Sequence, residues 1–151
     1  MTPALFGAGV FFALFERSLF MFPSLIMILT AAAGGAAGTV LRYEAVWLGS
    51  MLFGTSFPAG TVFVNCSGSL LIGILSSFFM FRGGSHPMYA VFFITGILGG
   101  YTTFSSFANE CFQYLLAGRW QEGLMYLFLQ PILGTLAAAS GFFMVYLIHS
   151  L

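Results

Sequence analysis

Residues 95–110 read TGILGGYTTFSSFANE, and this stretch decides how the fold is interpreted. It begins like the middle of a membrane span and then combines glycine, threonine and serine with an asparagine and a glutamate. Because lipid offers no hydrogen bonds, a glycine-rich interruption at membrane depth is stable only inside protein or beside an aqueous cavity. The stretch therefore predicts a broken helix that lines something polar.

The chain as a whole has the composition of an integral membrane protein. Its 151 residues are 60% hydrophobic and 5% charged, with four arginines and four glutamates but neither lysine nor aspartate. A soluble domain carries about 25% charged residues, so these few charges could not cover a folded surface in water. We therefore expect a multi-pass, all-α protein of the cell (inner or plasma) membrane, with lipid as its main solvent and no nucleic-acid partner.

Charge-free stretches predict four transmembrane helices, at about 24–43, 58–80, 88–116 and 124–149. Each is long enough for the roughly 20 apolar residues that a spanning helix needs. Together they predict a four-helix transmembrane domain over residues 21–151. Residues 1–20 contain an apolar run too short to span, which predicts an N-terminal extension or an interfacial segment.

The arginines give no preferred orientation. With four spans, Arg17 and Arg82 fall on one side of the membrane, and Arg42 and Arg119 fall on the other. Orientation follows an excess of Lys and Arg in cytoplasmic loops, and two against two is no excess. Either four charges are too few to interpret, or the chain inserts both ways and can form an antiparallel two-fold homodimer.

Several polar residues within the spans have two interpretations. Asn65, near the middle of the second span, either bonds to a neighbouring helix or lines a pore with amide hydrogens that face an anion. Tyr126 and Gln130 lie four apart and share a helical face, where they extend a polar track or bond between helices. Arg42 either anchors at the interface or forms an electropositive vestibule. Glu110 is either a solvated cap or a group that tunes the pore mouth.

The glycine-rich part of the third span predicts free backbone carbonyls around residues 99–102. Half-helix ends in transporters hold small cations with such carbonyls, so two protomers that meet there could share a structural cation. Phe104 and Phe107 follow and lie on one helical face. They either pack in the core or present their positive ring edges to a pore, with Ser105 and Ser106 beside them.

These residues, in this order and spacing, resemble the CrcB/Fluc fluoride channels. The resemblance covers all but about the first 20 residues, and the GGxTTFSxF core is its most specific part. It implies a four-helix protomer with a broken third helix, paired antiparallel with a copy of itself in dual topology. It also implies two fluoride pathways and passive, selective export of fluoride that lowers its toxicity. The matching segments are 34–38 with Arg42 and Tyr43, 60–61 with Asn65 and Gly68, and 96–107 with Glu110.

The resemblance also implies roles for single residues. The carbonyls of Gly99 and Thr102 would hold a structural sodium ion at the dimer centre, and Asn65 would line the pore as a hydrogen-bond donor. The pore phenylalanines and the serines that flank them would be Phe104, Phe107, Ser105 and Ser106. Gln130 departs from the family, which often has serine in that register.

The sequence leaves two other functions open. A small proton-coupled multidrug exporter also has four short helices, but it needs a membrane-embedded carboxylate, and the first span carries none. A non-transporting assembly subunit would use its polar residues only to hold helices together. An enzyme is not expected, because neither a nucleophile–base pair nor a carboxylate pair is evident.

Overall fold

The computed structural model describes residues 24–81 and 87–150, and the predicted N-terminal extension, residues 1–20, lies outside them. Within the described residues every regular element is a helix. Four segments are long and apolar enough to cross a membrane: Leu25–Phe53, Ala59–Phe81, Pro87–Leu116 and Trp120–His149. The predicted all-α architecture with four transmembrane helices is confirmed.

The helices are numbered here in chain order. The first two spans are α1 (Leu25–Phe53) and α2 (Ala59–Phe81). The third span is divided into α3 (Pro87–Ala90), a π-helix (Val91–Leu98), α4 (Gly99–Tyr101) and α5 (Phe104–Leu116). The fourth is α6 (Trp120–Ser150).

The first helix is longer than its sequence pattern predicts. The prediction ended at residue 43, beside Arg42 and Glu44, whereas α1 continues to Phe53. The added turns pack against the start of α2, where a Cβ on Gly49 would lie 2.7 Å from the Gly60 Cα. Arg42 is therefore within α1 and not near its end, because this helix contact extends α1 past its charged residues.

The first helix also packs closely on the π-helix. A Cβ on Gly34 would lie 2.5 Å from the Phe92 carbonyl oxygen and 3.0 Å from the Gly96 Cα. These are backbone atoms of a packed helix and cannot easily move aside, so glycine at this position lets the two backbones approach. Small residues commonly permit such close packing between membrane helices.

The remaining helices place a small buried cluster near one end of the molecule. Helix α2 runs alongside α6, and α5 packs on α6. Between α5 and α6 lie the buried side chains Phe107, Cys111, Tyr114 and Tyr126. Most other large apolar side chains are exposed on the outer surface of the helices, as expected where lipid is the solvent.

Candidate functional site

The helical conformation of the third span is interrupted by two extended residues. Thr102 has φ −78° and ψ 157°, and Thr103 has φ −148° and ψ 112°, both in the β region. Helix α5 begins directly after them, with Thr103 as its N-cap: the Ser106 N–H donates to Thr103 Oγ1 at 3.1 Å. The Thr103 hydroxyl in turn donates to Ser106 Oγ at 2.9 Å.

The side chain of Asn65 holds this extended backbone in place. Its Oδ1 accepts from the Thr103 N–H at 2.8 Å, and its Nδ2 donates to the Thr103 carbonyl at 3.0 Å. A backbone N–H can only donate and a carbonyl can only accept, so these two bonds fix which way the amide points. The interhelical bonding that was one interpretation of Asn65 is thus present.

The same hydrogen bonds leave two carbonyls without their usual helical donors. In a continuous α-helix the N–H of residue i donates to the carbonyl of residue i−4, so Thr103 would donate to Gly99 and Ser106 to Thr102. Here the Thr103 N–H donates to Asn65 and the Ser106 N–H donates to the Thr103 hydroxyl. The Gly99 and Thr102 carbonyls are therefore among those that the interruption releases, together with the Gly100 and Tyr101 carbonyls, whose usual donors are in the first turn of α5.

A continuous chain of hydrogen bonds leads away from Asn65 toward one end of the molecule. Asn65 Nδ2 donates to Gln130 Oε1 at 3.3 Å, and Gln130 Nε2 donates to the Tyr126 hydroxyl at 2.9 Å. Tyr126 donates to Glu110 Oε2 at 2.7 Å, and Thr61 donates to Glu110 Oε1 at 2.6 Å. The chain links α2, α5 and α6.

Asn65, Gln130 and Tyr126 each donate to the next residue along these hydrogen bonds, and the last acceptor is Glu110. Its two carboxylate oxygens each accept one hydrogen bond, so this residue is the common acceptor at the end of the chain. Hydrogen bonds in such a chain polarise one another. Glu110 is half-buried and is therefore not simply a solvated cap. Gln130 is 5% exposed and Tyr126 is fully buried, which strengthens the bonds by lowering the local dielectric.

Aromatic rings border the polar chain. The rings of Phe104 and Phe107 are 5.8 Å apart, and Phe107 meets Tyr126 edge-on at 5.3 Å. The two phenylalanines differ sharply in burial, because Phe104 is 78% exposed whereas Phe107 is 5% exposed. Phe107 packs in the core cluster, and Phe104 projects from the protomer.

These side chains line an open groove of about 450 Å³ beside the interruption. Its lining combines residues from α2, the third span and α6: Asn65, Gly99, Thr102, Thr103, Phe104, Phe107 and Gln130 are among them. Glu110 lines a separate cavity of about 320 Å³, together with Thr61, Tyr114 and Arg119. The Arg119 guanidinium lies 4.7 Å from the centre of the Tyr114 ring.

Most of the residues singled out in the sequence lie around this groove or along the chain of hydrogen bonds. Ser105 and Arg42 are less closely connected to either. Ser105 is exposed, and its hydroxyl lies 3.4 Å from the Thr103 hydroxyl. Arg42 is half-buried in α1 and makes no hydrogen bond or ion pair within residues 24–81 and 87–150. The structure therefore does not join Arg42 to the polar chain.

Two members of the site were missed as functional candidates in the sequence. Thr61 lies four residues before Asn65 and so shares its helical face, which was a usable signal. Thr103 precedes Ser106 by three residues, which is the spacing of an N-cap hydroxyl and the N–H that it accepts. Its role as the partner of Asn65 depends on a contact between two helices, which neither signal reveals.

The fold and the site together define a class of protein. The chain is a small multi-pass membrane protein in which polar side chains from three spans converge on an interrupted helix. The family model for CrcB-like protein, Camphor Resistance (CrcB), matches residues 29–142. The protein belongs to this family.

Curated relatives match most of the chain. A fluoride-specific ion channel FluC of Rhizobium meliloti (strain 1021) is 46% identical over 115 residues, covering 76% of this chain and 91% of the relative. The protein of the same name in Desulfotalea psychrophila is 43% identical over 116 residues, covering 77% and 89%. One from Rhodopseudomonas palustris (strain BisB5) is 42% identical over 106 residues, covering 70% and 82%.

Proposed function

We propose that the protein is a fluoride-selective channel that lets fluoride leave the cytoplasm passively and so reduces its toxicity. The observation that carries the proposal is the groove beside the interrupted helix, where donors and aromatic rings meet at membrane depth. The named function of the relatives supports the choice of ion. The protein acts as a channel and not as an enzyme, so the residues need only to replace water around the ion.

The proposed pathway runs along the groove and past the start of α5. Phe104 and Phe107 form one wall, and their positive ring edges favour an anion over a cation. Asn65 lies at the interruption, and Ser105 and Ser106 provide hydroxyl groups at the same level. Together these groups replace part of the hydration shell that fluoride loses, which is how a narrow filter makes entry favourable.

The polar chain extends the pathway toward the second cavity. Tyr126 and Gln130 form its wall, and Glu110 tunes the end by accepting the donors that converge there. Thr61 holds the other oxygen of Glu110, so the carboxylate is stabilised away from the ion. Arg42 would contribute a positive potential at the vestibule, which gathers anions by long-range attraction.

The functional assembly that we propose is an antiparallel homodimer. Phe104 is 78% exposed although it lies within a transmembrane segment rich in polar groups, and the groove beside it is open. A second copy would cover this ring and close the groove on both sides of a two-fold axis, which gives two pathways. Balanced arginines favour insertion in both orientations; Arg17 and Arg82, on which that count partly rests, lie outside the described residues.

A structural sodium ion fits the same assembly. The Gly99 and Thr102 carbonyls lose their helical donors at the interruption, and carbonyl oxygens are suitable ligands for a hard cation. One protomer supplies two of these oxygens, and a partner related by the two-fold axis would double the number. The ion would hold the two interruptions together and stabilise the dimer centre, without moving through the protein.

Fluoride efflux from liposomes tests the proposed function directly. Liposomes that contain the purified chain and are loaded with potassium fluoride should release fluoride when potassium is allowed to follow, as measured with a fluoride electrode. Liposomes loaded with chloride are the control and should retain it. Well-folded protein without fluoride release would refute the channel, and comparable chloride release would refute the selectivity.

A further inference from the structure

The turn that precedes the interruption has an attachment of its own to α2. The Tyr101 hydroxyl lies 3.0 Å from Ser67 Oγ. Ser67 also donates to the Phe63 carbonyl, one turn earlier in α2, at 2.6 Å. A carbonyl can only accept, and a serine hydroxyl carries one hydrogen, so Ser67 must accept from Tyr101. The donor of this bond between helices is therefore the Tyr101 hydroxyl.

Close packing confines the same turn between α1 and α2. A Cβ on Gly68 of α2 would collide with Thr102 Cγ2 and would lie 3.3 Å from Tyr101 Cδ1. A Cβ on Gly38 of α1 would lie 2.9 Å from the Tyr101 backbone nitrogen. Small residues at such contacts let membrane helices approach closely. The ring and the backbone of Tyr101 are thus both held in contact with neighbouring helices.

Two hydrogen-bonded attachments to α2 flank Thr102. Ser67 accepts from the residue before it, Tyr101, and Asn65 bonds to the backbone of the residue after it, Thr103. Thr102 and Thr103 line the groove, whose wall is therefore backbone that α2 holds on both sides of Thr102. Loss of either attachment should allow this extended backbone to move.

Tyr101 itself lies outside the groove. It lines a separate cavity of about 490 Å³ beside α1, together with Glu44, Trp47 and Ile97. The residues that line the groove include Thr102 but not Tyr101. An effect of the Tyr101 hydroxyl on an ion in the groove must therefore be transmitted through the backbone.

We propose that Tyr101 is a positioning residue: its hydroxyl, donated to Ser67, holds the turn before the interruption on α2 and so sets where Thr102 and Thr103 lie beside the groove. The inference rests on the proposed function for its effect on fluoride movement. Asn65 fixes the extended backbone itself, and Tyr101 fixes the turn from which that backbone leaves.

Three substitutions test this attachment through fluoride efflux. Tyr101→Phe removes only the donor, and Ser67→Ala removes only the acceptor. Each should lower efflux by roughly threefold to tenfold, the range set by the net contribution of one neutral hydrogen bond. The double variant should show no further loss, because both changes remove the same bond. Ser67→Thr keeps a hydroxyl that can donate to the preceding turn and accept from Tyr101, so it should conduct like the wild type.

The matched control removes a hydroxyl from another half-buried tyrosine. Tyr146 of α6 packs on Phe142, and its hydroxyl makes no hydrogen bond within the described residues. Tyr146→Phe should therefore leave efflux unchanged. If Tyr101→Phe also leaves efflux unchanged, the proposal is wrong. It is equally wrong if the losses of Tyr101→Phe and Ser67→Ala add in the double variant, because the two residues would then act separately.

The side-chain amide of Asn65 reports the position of the interruption independently of transport. The chain has two asparagines, Asn65 and Asn109, so ¹⁵N-asparagine labelling gives two side-chain amide groups, and Asn109→Leu identifies each. Asn65 Nδ2 donates to the Thr103 carbonyl, so displacement of that carbonyl shifts the Asn65 amide protons. Tyr101→Phe should shift them and leave those of the exposed Asn109 unchanged. Asn65 signals identical to those of the wild type would overturn the proposal.

The two measurements separate failure of the inference from failure of the proposed function. A wild-type chain that conducts fluoride, but whose Asn65 signals do not respond to Tyr101→Phe, remains a channel and contradicts the positioning role. A chain whose Asn65 signals shift as expected, but which releases no fluoride, has the attachment and refutes the proposed function.

Discussion

Replacement of Asn65 by leucine tests the central structural claim, that one side chain holds the interrupted helix in shape. The leucine is similar in size but cannot bond to Thr103. Asn65→Leu removes the acceptor for the Thr103 N–H at 2.8 Å and the donor to its carbonyl at 3.0 Å. Thr103 is 5% exposed, so water cannot easily replace either bond.

The expected loss of stability follows from the Thr103 N–H and carbonyl, which both lose their hydrogen bond to Asn65. A buried backbone group left without a partner costs about 1–3 kcal/mol in water-soluble proteins, and hydrogen bonds between membrane helices contribute about 0.6–2 kcal/mol each. The Thr103 N–H is left without a partner, at about 1–3 kcal/mol, whereas the Thr103 carbonyl still accepts the first hydrogen bond of α5 and its lost bond adds about 0.6–1 kcal/mol. Asn65→Leu should therefore lower the free energy of unfolding by about 2–4 kcal/mol. The third bond, to Gln130 at 3.3 Å, is long and adds less.

Unfolding in mixed micelles with increasing SDS, followed by circular dichroism, measures this loss. Asn109→Leu is the matched control, because it is the same substitution at an exposed position of α5. Surface substitutions usually change stability by no more than about 0.5 kcal/mol. If Asn65→Leu and Asn109→Leu have equal effects, Asn65 does not hold the interruption and the reasoning fails.

Three further predictions concern neighbouring positions. Asn65→Asp should suppress fluoride efflux, since it sets a negative charge in an anion path; efflux at the wild-type rate would remove Asn65 from that path. Ser77→Ala should leave the free energy of unfolding unchanged or raise it by up to about 1 kcal/mol. The reason is that the Ser77 hydroxyl is buried and has no hydrogen-bond partner among the described residues. A clear decrease in the free energy of unfolding in the SDS titration would contradict this. Gly96→Ala should lower the free energy of unfolding by about 1–3 kcal/mol through overpacking, since a Cβ there would lie 2.8 Å from the Gly34 Cα. An unchanged SDS midpoint would show that α1 and the π-helix can move apart without cost.

The number of transmembrane helices was predictable because it depends on local composition. Charged residues are rare in this chain and leave long apolar stretches among them, and backbone polar groups need partners within the protein where lipid surrounds it. The end of α1 was not predictable in the same way. A charged pair at Arg42 and Glu44 normally ends a span, but contact with the start of α2 carries the helix on to Phe53.

The polar site was predictable in its members but not in its bonds. Helical periodicity places Tyr126 and Gln130 on one face, and the structure joins them with a hydrogen bond of 2.9 Å. Periodicity cannot show which residues of other helices they meet. The acceptor at the end of the chain, Glu110, belongs to α5, and its second donor, Thr61, belongs to α2.

The sequence by itself determined that this is a small membrane protein of four helices with an unusual polar stretch at residues 95–110. Those properties follow from composition and spacing, which act through local rules about lipid and backbone hydrogen bonds. Only the tertiary structure decided that Asn65 holds Thr103, that Gly99 and Thr102 lose their helical donors, and that Gln130 joins Asn65 to Tyr126. These depend on which donors and acceptors from separate helices come within about 3 Å of each other, and packing alone settles that.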